Sequence, residues 1–176
     1  ANGGINITAP AHKWIRWMIV RQQQDGLFQR YRRDDESAPW EPYAKTDADD
    51  ATLAVWLELL YRAGLHTNLQ KQSALLARQE LEKLYDPTLG IYYISEDKPV
   101  GLFMDNVEVY ASFISIGHQL ARHGHRKEAK QFAAMAAKLK KNIQIVFWSD
   151  SQKKFFVSTQ KRAQEAEDHF YPNKVA

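Results

Sequence analysis

Cysteine is missing from all 176 residues, which removes disulfides, thiol nucleophiles and thiolate metal sites. Long apolar runs are missing too. No stretch reaches the ~20 residues that a membrane helix needs, so no membrane span is expected. Charge of one sign is scarce: the formal net charge is +3, with acids and bases mixed along the chain. Nucleic-acid binding would leave a basic stripe, so nucleic acid is not an expected partner. A glycine-rich phosphate loop is lacking, because Gly3-Gly4 is the only glycine pair and no strand precedes it. His118, His123 and His125 have no acid in ligand spacing, and the last two fall at a helix end, where a cation suits the dipole. No metal and no cofactor are expected.

What is present is helix-forming sequence and aromatic rings. Hydrophobic residues at 44% and charged residues at 26% are those of a globular domain. The reading is a single helical-hairpin domain over 1–176. Five Trp and eight Tyr exceed what a plain helical core requires, so rings are available for other work.

Three segments share one design, in which a helix ends, an Asp-containing turn follows and a short aromatic strand comes next. They run Gln24-Asp25-Gly26-Leu27-Phe28, Tyr85-Asp86-Pro87-Thr88-Leu89-Gly90-Ile91-Tyr92-Tyr93, and Trp148-Ser149-Asp150 through Phe155-Phe156. Gly26, Pro87 and Gly90 are the expected breakers. The turn acids lie about sixty residues apart, room for two helices and a loop per repeat.

The helices alternate in character. Asp49 to Ala63 is apolar on nearly every side, the mark of a helix buried all round. Thr67 to Tyr85 carries a single stripe (Leu69, Leu76, Leu84, with Ala77 and Leu81). Asn106 to His123 again has a broad apolar face, and Lys127 to Trp148 a narrow one. The fold class expected is all-α: α/α hairpin repeats forming part of an (α/α)6-type toroid, with inner and outer rings of helices. Inner-to-outer links are short and marked by Gly64 and Gly124, whereas outer-to-inner links are long (24–46 and 86–104). All long loops then gather at one end, where binding and catalysis usually sit.

This arrangement resembles the (α/α)-toroid, or six-hairpin, glycosidases. Its sharpest piece is Thr46-Asp47-Ala48-Asp49-Asp50-Ala51-Thr52-Leu53-Ala54, similar to the Ser/Thr-Asp-Ala-Asp segment that opens an inner helix in some endoglucanases of that fold. One extra residue here separates the acids from the Leu-Ala that follows. The closing Phe170-Tyr171-Pro172-Asn173-Lys174-Val175-Ala176 resembles the approach to a further inner helix. About half of a six-hairpin ring fits in this length, so the chain is expected to be a fragment, with self-association through its uncovered faces. The start, Ala-Asn-Gly-Gly without Met, is what a removed secretory signal leaves, and equally an engineered boundary. The expected location is the periplasm or outside the cell, with the cytoplasm left open.

Glycoside hydrolysis needs two carboxylates flanking the bond, one protonated and one ionised. Asp47, Asp49 and Asp50 open one inner helix, and Asp105 and Glu108 hold the same place in the next. Asp49 or Asp47 is the expected working carboxylate, with Asp105 its partner. A second reading stands beside this one: Asp is a preferred N-cap, and Asp105-x-x-Glu108 fits a capping box. Flat rings stack on sugar faces, so Trp40 and Tyr43 in the first long loop are the expected platform, with Tyr110 and Asp50 also toward substrate. Trp14, Trp17, Trp56 and Trp148 are expected in the core. Arg30, with Arg32, Arg33 and Lys45, flanks the same mouth, where forked hydrogen bonds suit an acidic sugar; a solvated loop is the other reading.

Three functions follow. The first is a carbohydrate-active protein, a glycoside hydrolase or a relative that binds a polysaccharide or oligosaccharide. The second is an open helical-repeat scaffold for protein–protein interaction. It would show near-equal loops and repeats of roughly thirty-four residues, and the long unequal loops count against it. The third is a noncatalytic helper in polysaccharide synthesis or export.

Overall fold

The computed structural model describes residues 8–160; Gly3-Gly4 and the segment 170–176 lie outside the described residues. Five helices follow one another: α1 (Thr8–Ile19), α2 (Asp49–Ala63), α3 (Asn68–Lys83), α4 (Phe103–Arg122) and α5 (Arg126–Phe147). Between them lie six short strands, β1 (Gln29–Arg32), β2 (Glu41–Lys45), β3 (Tyr85–Asp86), β4 (Ile91–Tyr92), β5 (Trp148–Ser149) and β6 (Lys154–Phe155).

The strands overturn the all-α class, and with it a toroid segment built from helices alone. They pair as three separate two-stranded antiparallel sheets, β1 with β2, β3 with β4 and β5 with β6. The aromatic segments after each turn are not single strands against a helix. The second and third pair with the residues on the far side of their turns, Tyr85 with Tyr92 and Trp148 with Phe155, whereas β1, after the first turn, pairs with β2 further along the chain. Aromatic and β-branched residues fit such a half-buried pleated surface, and pairing satisfies backbone groups that a buried loop would strand. The turns themselves are Asx turns in two of three cases: Asp25 Oδ1 accepts from the Leu27 N–H at 3.0 Å and Asp86 Oδ1 from the Thr88 N–H at 2.8 Å. Gly26 has φ +91°, and a Cβ there would lie 2.9 Å from the Leu76 carbonyl oxygen, so only glycine lets the first turn sit on α3.

α2 and α4 end alike. The Leu65 N–H donates to the Leu60 carbonyl and the Gly64 N–H to that of Tyr61, while His125 donates to Leu120 and Gly124 to Ala121. This is the Schellman pattern, with glycine at φ +93° and +83°. The helix starts differ. Thr67 and Gln70 close a capping box on α3, but α2 and α4 begin from Ala48 and Leu102 with no side-chain cap. Because α4 starts at Phe103, Asp105 lies inside its first turn, and the capping box read from Asp105-x-x-Glu108 does not form.

α2 packs on α3 and on α4, and α4 on α5. Glu58 Oε2 accepts from the Ser112 hydroxyl at 3.2 Å and Arg62 Nε donates to Ser115 Oγ at 3.1 Å. Residue numbers rise together along both helices, so they run parallel and their N-termini share one end of the molecule. Leu53, Trp56, Leu57 and Leu60 of α2 meet Val109, Phe113 and Ile116 of α4 in one core. The two helix types differ in enclosure as their patterns imply. Only Val55 and Arg62 of α2 are exposed, whereas half of α3 is. Leu69, read as part of the α3 stripe, is 63% exposed, because in that turn the inward position is taken by its neighbour Gln70.

Candidate functional site

The shared end of α2 and α4 is hollow. A cleft of about 560 Å³ lies between α1 and the starts of these helices, with Trp14 and Met18 on one wall and Asp47, Asp105 and Glu108 at the other. A second trough of about 790 Å³ runs along the β1–β2 hairpin, lined by Trp17, Arg30, Tyr31, Trp40 and Tyr43. Trp14, Met18 and Thr52 line both. The two troughs therefore adjoin along that wall and form a groove in two parts, aromatic at the hairpin end and acidic at the helix starts.

The aromatic end is built by α1 and the hairpin together. Trp14 and Trp17, three residues apart on one face of α1, stack with centroids 5.0 Å apart and planes 10° from parallel. Trp17 then meets Tyr31 edge-on at 5.5 Å and Trp40 at 5.7 Å. Ile15, on the opposite side of the helix, is buried. The expectation that Trp14 belongs to the core is corrected here: it is 52% exposed and forms groove wall. Trp148 is exposed as well, whereas Trp56 is core, its indole N–H donating to Ser73 Oγ at 2.9 Å. The hairpin projects into solvent: β1 alternates half-buried and exposed positions, β2 is exposed at all but Ala44, and the register shifts between Arg30 and Tyr31; such a bulge bends a strand and re-aims its side chains.

At the acidic end the carboxyl groups are sorted by depth. Asp47 is exposed at the mouth. Asp105 is half-buried, and its Oδ2 is buried with no hydrogen-bond partner. Burial, reinforced by the charges of Glu108 and Asp47, pushes its carboxyl up to about 6. Asp50 lies deeper, fully sealed from solvent, and neither of its oxygens has a well-formed hydrogen bond. Burial first, and the nearby Asp105 second, push it up to about 8, so at neutral pH it is a neutral acid. Asp49 accepts a hydrogen bond from the Thr46 hydroxyl, and its N–H donates to the Ile94 carbonyl at 2.7 Å. Burial raises its carboxyl, against the lowering effect of the Thr46 bond.

Of the residues singled out in the sequence, Asp47 and Asp105 come together at one end of the groove and Trp40, Tyr43 and Arg30 at the other. Asp49 and Asp50 line neither trough. Tyr110 is half-buried against the core and lines neither. Trp14 and Met18, which join the two ends, were missed. The signal was there: Trp14 and Trp17 flank a buried Ile15 between Lys13 and Arg16, a two-sided pattern that a core helix does not need.

The arrangement can do acid–base chemistry. A carboxyl whose pKa burial pushes up to about 6 beside a solvent-facing carboxyl is a differentiated pair, of the kind in which one group can donate a proton while the other activates water or attacks. No described helix is long and apolar enough to cross a membrane. The chain matches no family profile, no curated protein and no solved structure, so the site is read from its own geometry.

Proposed function

We propose that this chain is a carbohydrate-active domain of glycoside hydrolase type, which lays a polysaccharide along the groove and cleaves it at the acidic end. One observation carries this reading: a ring-lined trough and a carboxylate pair share the Trp14–Met18–Thr52 wall. Sugar hydrolysis draws on both, because ring faces cover apolar C–H surfaces while most enzymes that cleave acetal bonds pair a proton-donating carboxyl with a second carboxylate. Asp105 is the proton donor, and Asp47 the base or nucleophile. Trp14, Trp40 and Tyr43 form the platform. The local resemblance of Thr46–Ala54 to an inner-helix start of six-hairpin glycosidases points the same way.

The test is a reducing-end assay on a panel of oligosaccharides with the wild type, Asp47→Asn and Asp105→Asn. Both variants should keep the fold and ligand binding while losing cleavage by roughly 10²–10⁴-fold, the usual worth of a general acid or base. Cleavage that survives both substitutions removes the proposed residues. A wild-type chain that binds an oligosaccharide yet cuts none in the panel assigns the groove to a noncatalytic helper of polysaccharide synthesis or export.

A further inference from the structure

Four arginines lie over the rings that line the hairpin end of the groove. The Arg33 guanidinium is 5.0 Å from the Trp40 ring centre, and Arg30 and Arg32 stand 5.5 and 5.6 Å from that of Tyr43. Arg21 lies 4.0 Å from Trp17. Among the described residues, no carboxylate comes within ion-pair distance of any of the four. Lys45 on the paired strand is different, since it bridges to Asp97 at 3.2 Å.

The arginines are held without being neutralised. Arg30 Nε donates to the Lys45 carbonyl at 2.9 Å, Arg33 Nη1 to that of Glu36 at 2.8 Å, and Arg21 Nη1 to that of Trp17 at 3.1 Å. A guanidinium has five donors in a planar fork, so most of those on Arg30 and Arg33 stay free. The rings keep each guanidinium close by cation–π contact, and on Arg21, Arg30 and Arg33 a carbonyl bond fixes one edge. Such a fork is shaped for two oxygens of one acid group. A sugar bearing only hydroxyls needs the rings, but it gives no reason to collect unpaired cations around them.

We infer that the glycan is anionic, and that the β1–β2 hairpin reads its acid groups, uronate carboxylates or sulfate esters, through Arg30, Arg32 and Arg33 while Trp40 and Tyr43 carry its sugar rings. This rests on the carbohydrate reading above and narrows its substrate class. The acidic end repels the same groups, because Asp47, Asp105 and Glu108 face it together. The anionic unit therefore sits at the hairpin and an uncharged unit beside Asp105, which favours a glycan of mixed composition over a homopolymer of acids.

The experiment is a tryptophan-fluorescence titration of the full chain with neutral, uronate-containing and sulfated oligosaccharides of equal length. The same titrations are made with Arg30→Gln/Arg33→Gln and with Arg30→Lys/Arg33→Lys, each checked for fold by circular dichroism. An anionic oligosaccharide should bind about tenfold more tightly than the neutral one, and its kind identifies the acid group. That advantage should vanish in the Gln variant, survive only in part in the Lys variant, and shrink in about 0.5 M salt as screening takes hold. Equal affinity for neutral and anionic ligands overturns the inference while leaving the carbohydrate reading intact. Equal affinity for polyglutamate of matched charge also overturns it, since charge alone would then suffice. Failure of every oligosaccharide to bind overturns both readings together.

Discussion

Asp50 and Asn106 occupy comparable places, each in the first turn of a parallel inner helix and each fully sealed from solvent, yet the fold treats them oppositely. Asn106 is satisfied on both ends of its amide. Its Oδ1 accepts from the Tyr92 N–H at 2.8 Å, and its Nδ2 donates to the carbonyls of Tyr92 and Leu102, both at 2.9 Å. Neither oxygen of Asp50 has a well-formed hydrogen bond, and only the nearby N–H groups of Ala51 and Asp50 itself offset its burial. An amide so placed welds the β3–β4 hairpin to the start of α4. An acid so placed costs free energy unless it stays protonated, and it lies against the groove that holds Asp105. The hairpins follow suit. β3–β4 is short, with Ile91 and Tyr92 buried, whereas β1–β2 is longer, exposed, and carries rings and arginines outward. One buried polar group is spent on joining two elements, and the other is left as a sealed, protonated acid behind the groove.

That contrast can be broken by substitution. The largest effect is expected from Asn106→Ala, which leaves the Tyr92 N–H and C=O unpaired in the core. At about 1–3 kcal/mol for each buried group stranded, the loss is roughly 3 kcal/mol. For a chain of this size that lowers the melting temperature by roughly 6–12 °C, read by circular dichroism. A loss below about 1 kcal/mol would show that water replaces the amide and that Asn106 is not the weld.

Asp50 should act through pH instead. Its folded carboxyl titrates near 8, while an unfolded Asp gives up its proton near 4. Between those values the native state binds the extra proton, so its contribution is full at low pH and is lost as pH rises toward 8. Denaturant unfolding should therefore show stability falling with pH by about 1 kcal/mol per unit across pH 5 to 7. Asp50→Asn should flatten that slope and stabilise the chain at neutral pH. An unchanged slope would place the proton uptake elsewhere.

A smaller effect sharpens the contrast inside the site. Glu108 is the leading charge that holds the Asp105 proton in place after burial itself. Glu108→Gln should lower the Asp105 carboxyl and shift the alkaline limb of any cleavage profile to lower pH by roughly half a unit, the size of one exposed neighbour charge. A limb that stays fixed, or moves upward, would mean that Asp105 does not control it.

Much of this was legible in advance. α2 runs from Asp49 to Ala63 as its continuous apolar pattern implies, and Gly64 and Gly124 end the inner helices because only left-handed residues complete their caps. The long links gather at one end because short glycine turns join each inner helix to its outer neighbour. Strand pairing was not legible. Tyr85-Asp86 and Trp148-Ser149 continue a helical pattern and become strands only where the chain folds back on them, and β2 contains Pro42, which reads as loop. Asp47, Asp105, Trp40, Tyr43 and Arg30 line the two troughs, as their places in or beside the long links imply. The ranking of Asp49 and Asp50 was not legible, because adjacent residues on a helix differ by about 100° of rotation, and only the packing of α4 and the Thr46 bond decide which carboxyl is left without a well-formed hydrogen bond.

Sequence by itself determined the helix periods, the turn chemistry and the concentration of acids and rings at the ends of long links, since these follow from local backbone preference and spacing. Tertiary structure alone decided that Trp14 leaves the core to join two troughs, that two of the three turns close as paired strands, and that Asp50 keeps its proton. Each of these depends on what a distant segment brings within a few ångströms, and no local pattern encodes that distance.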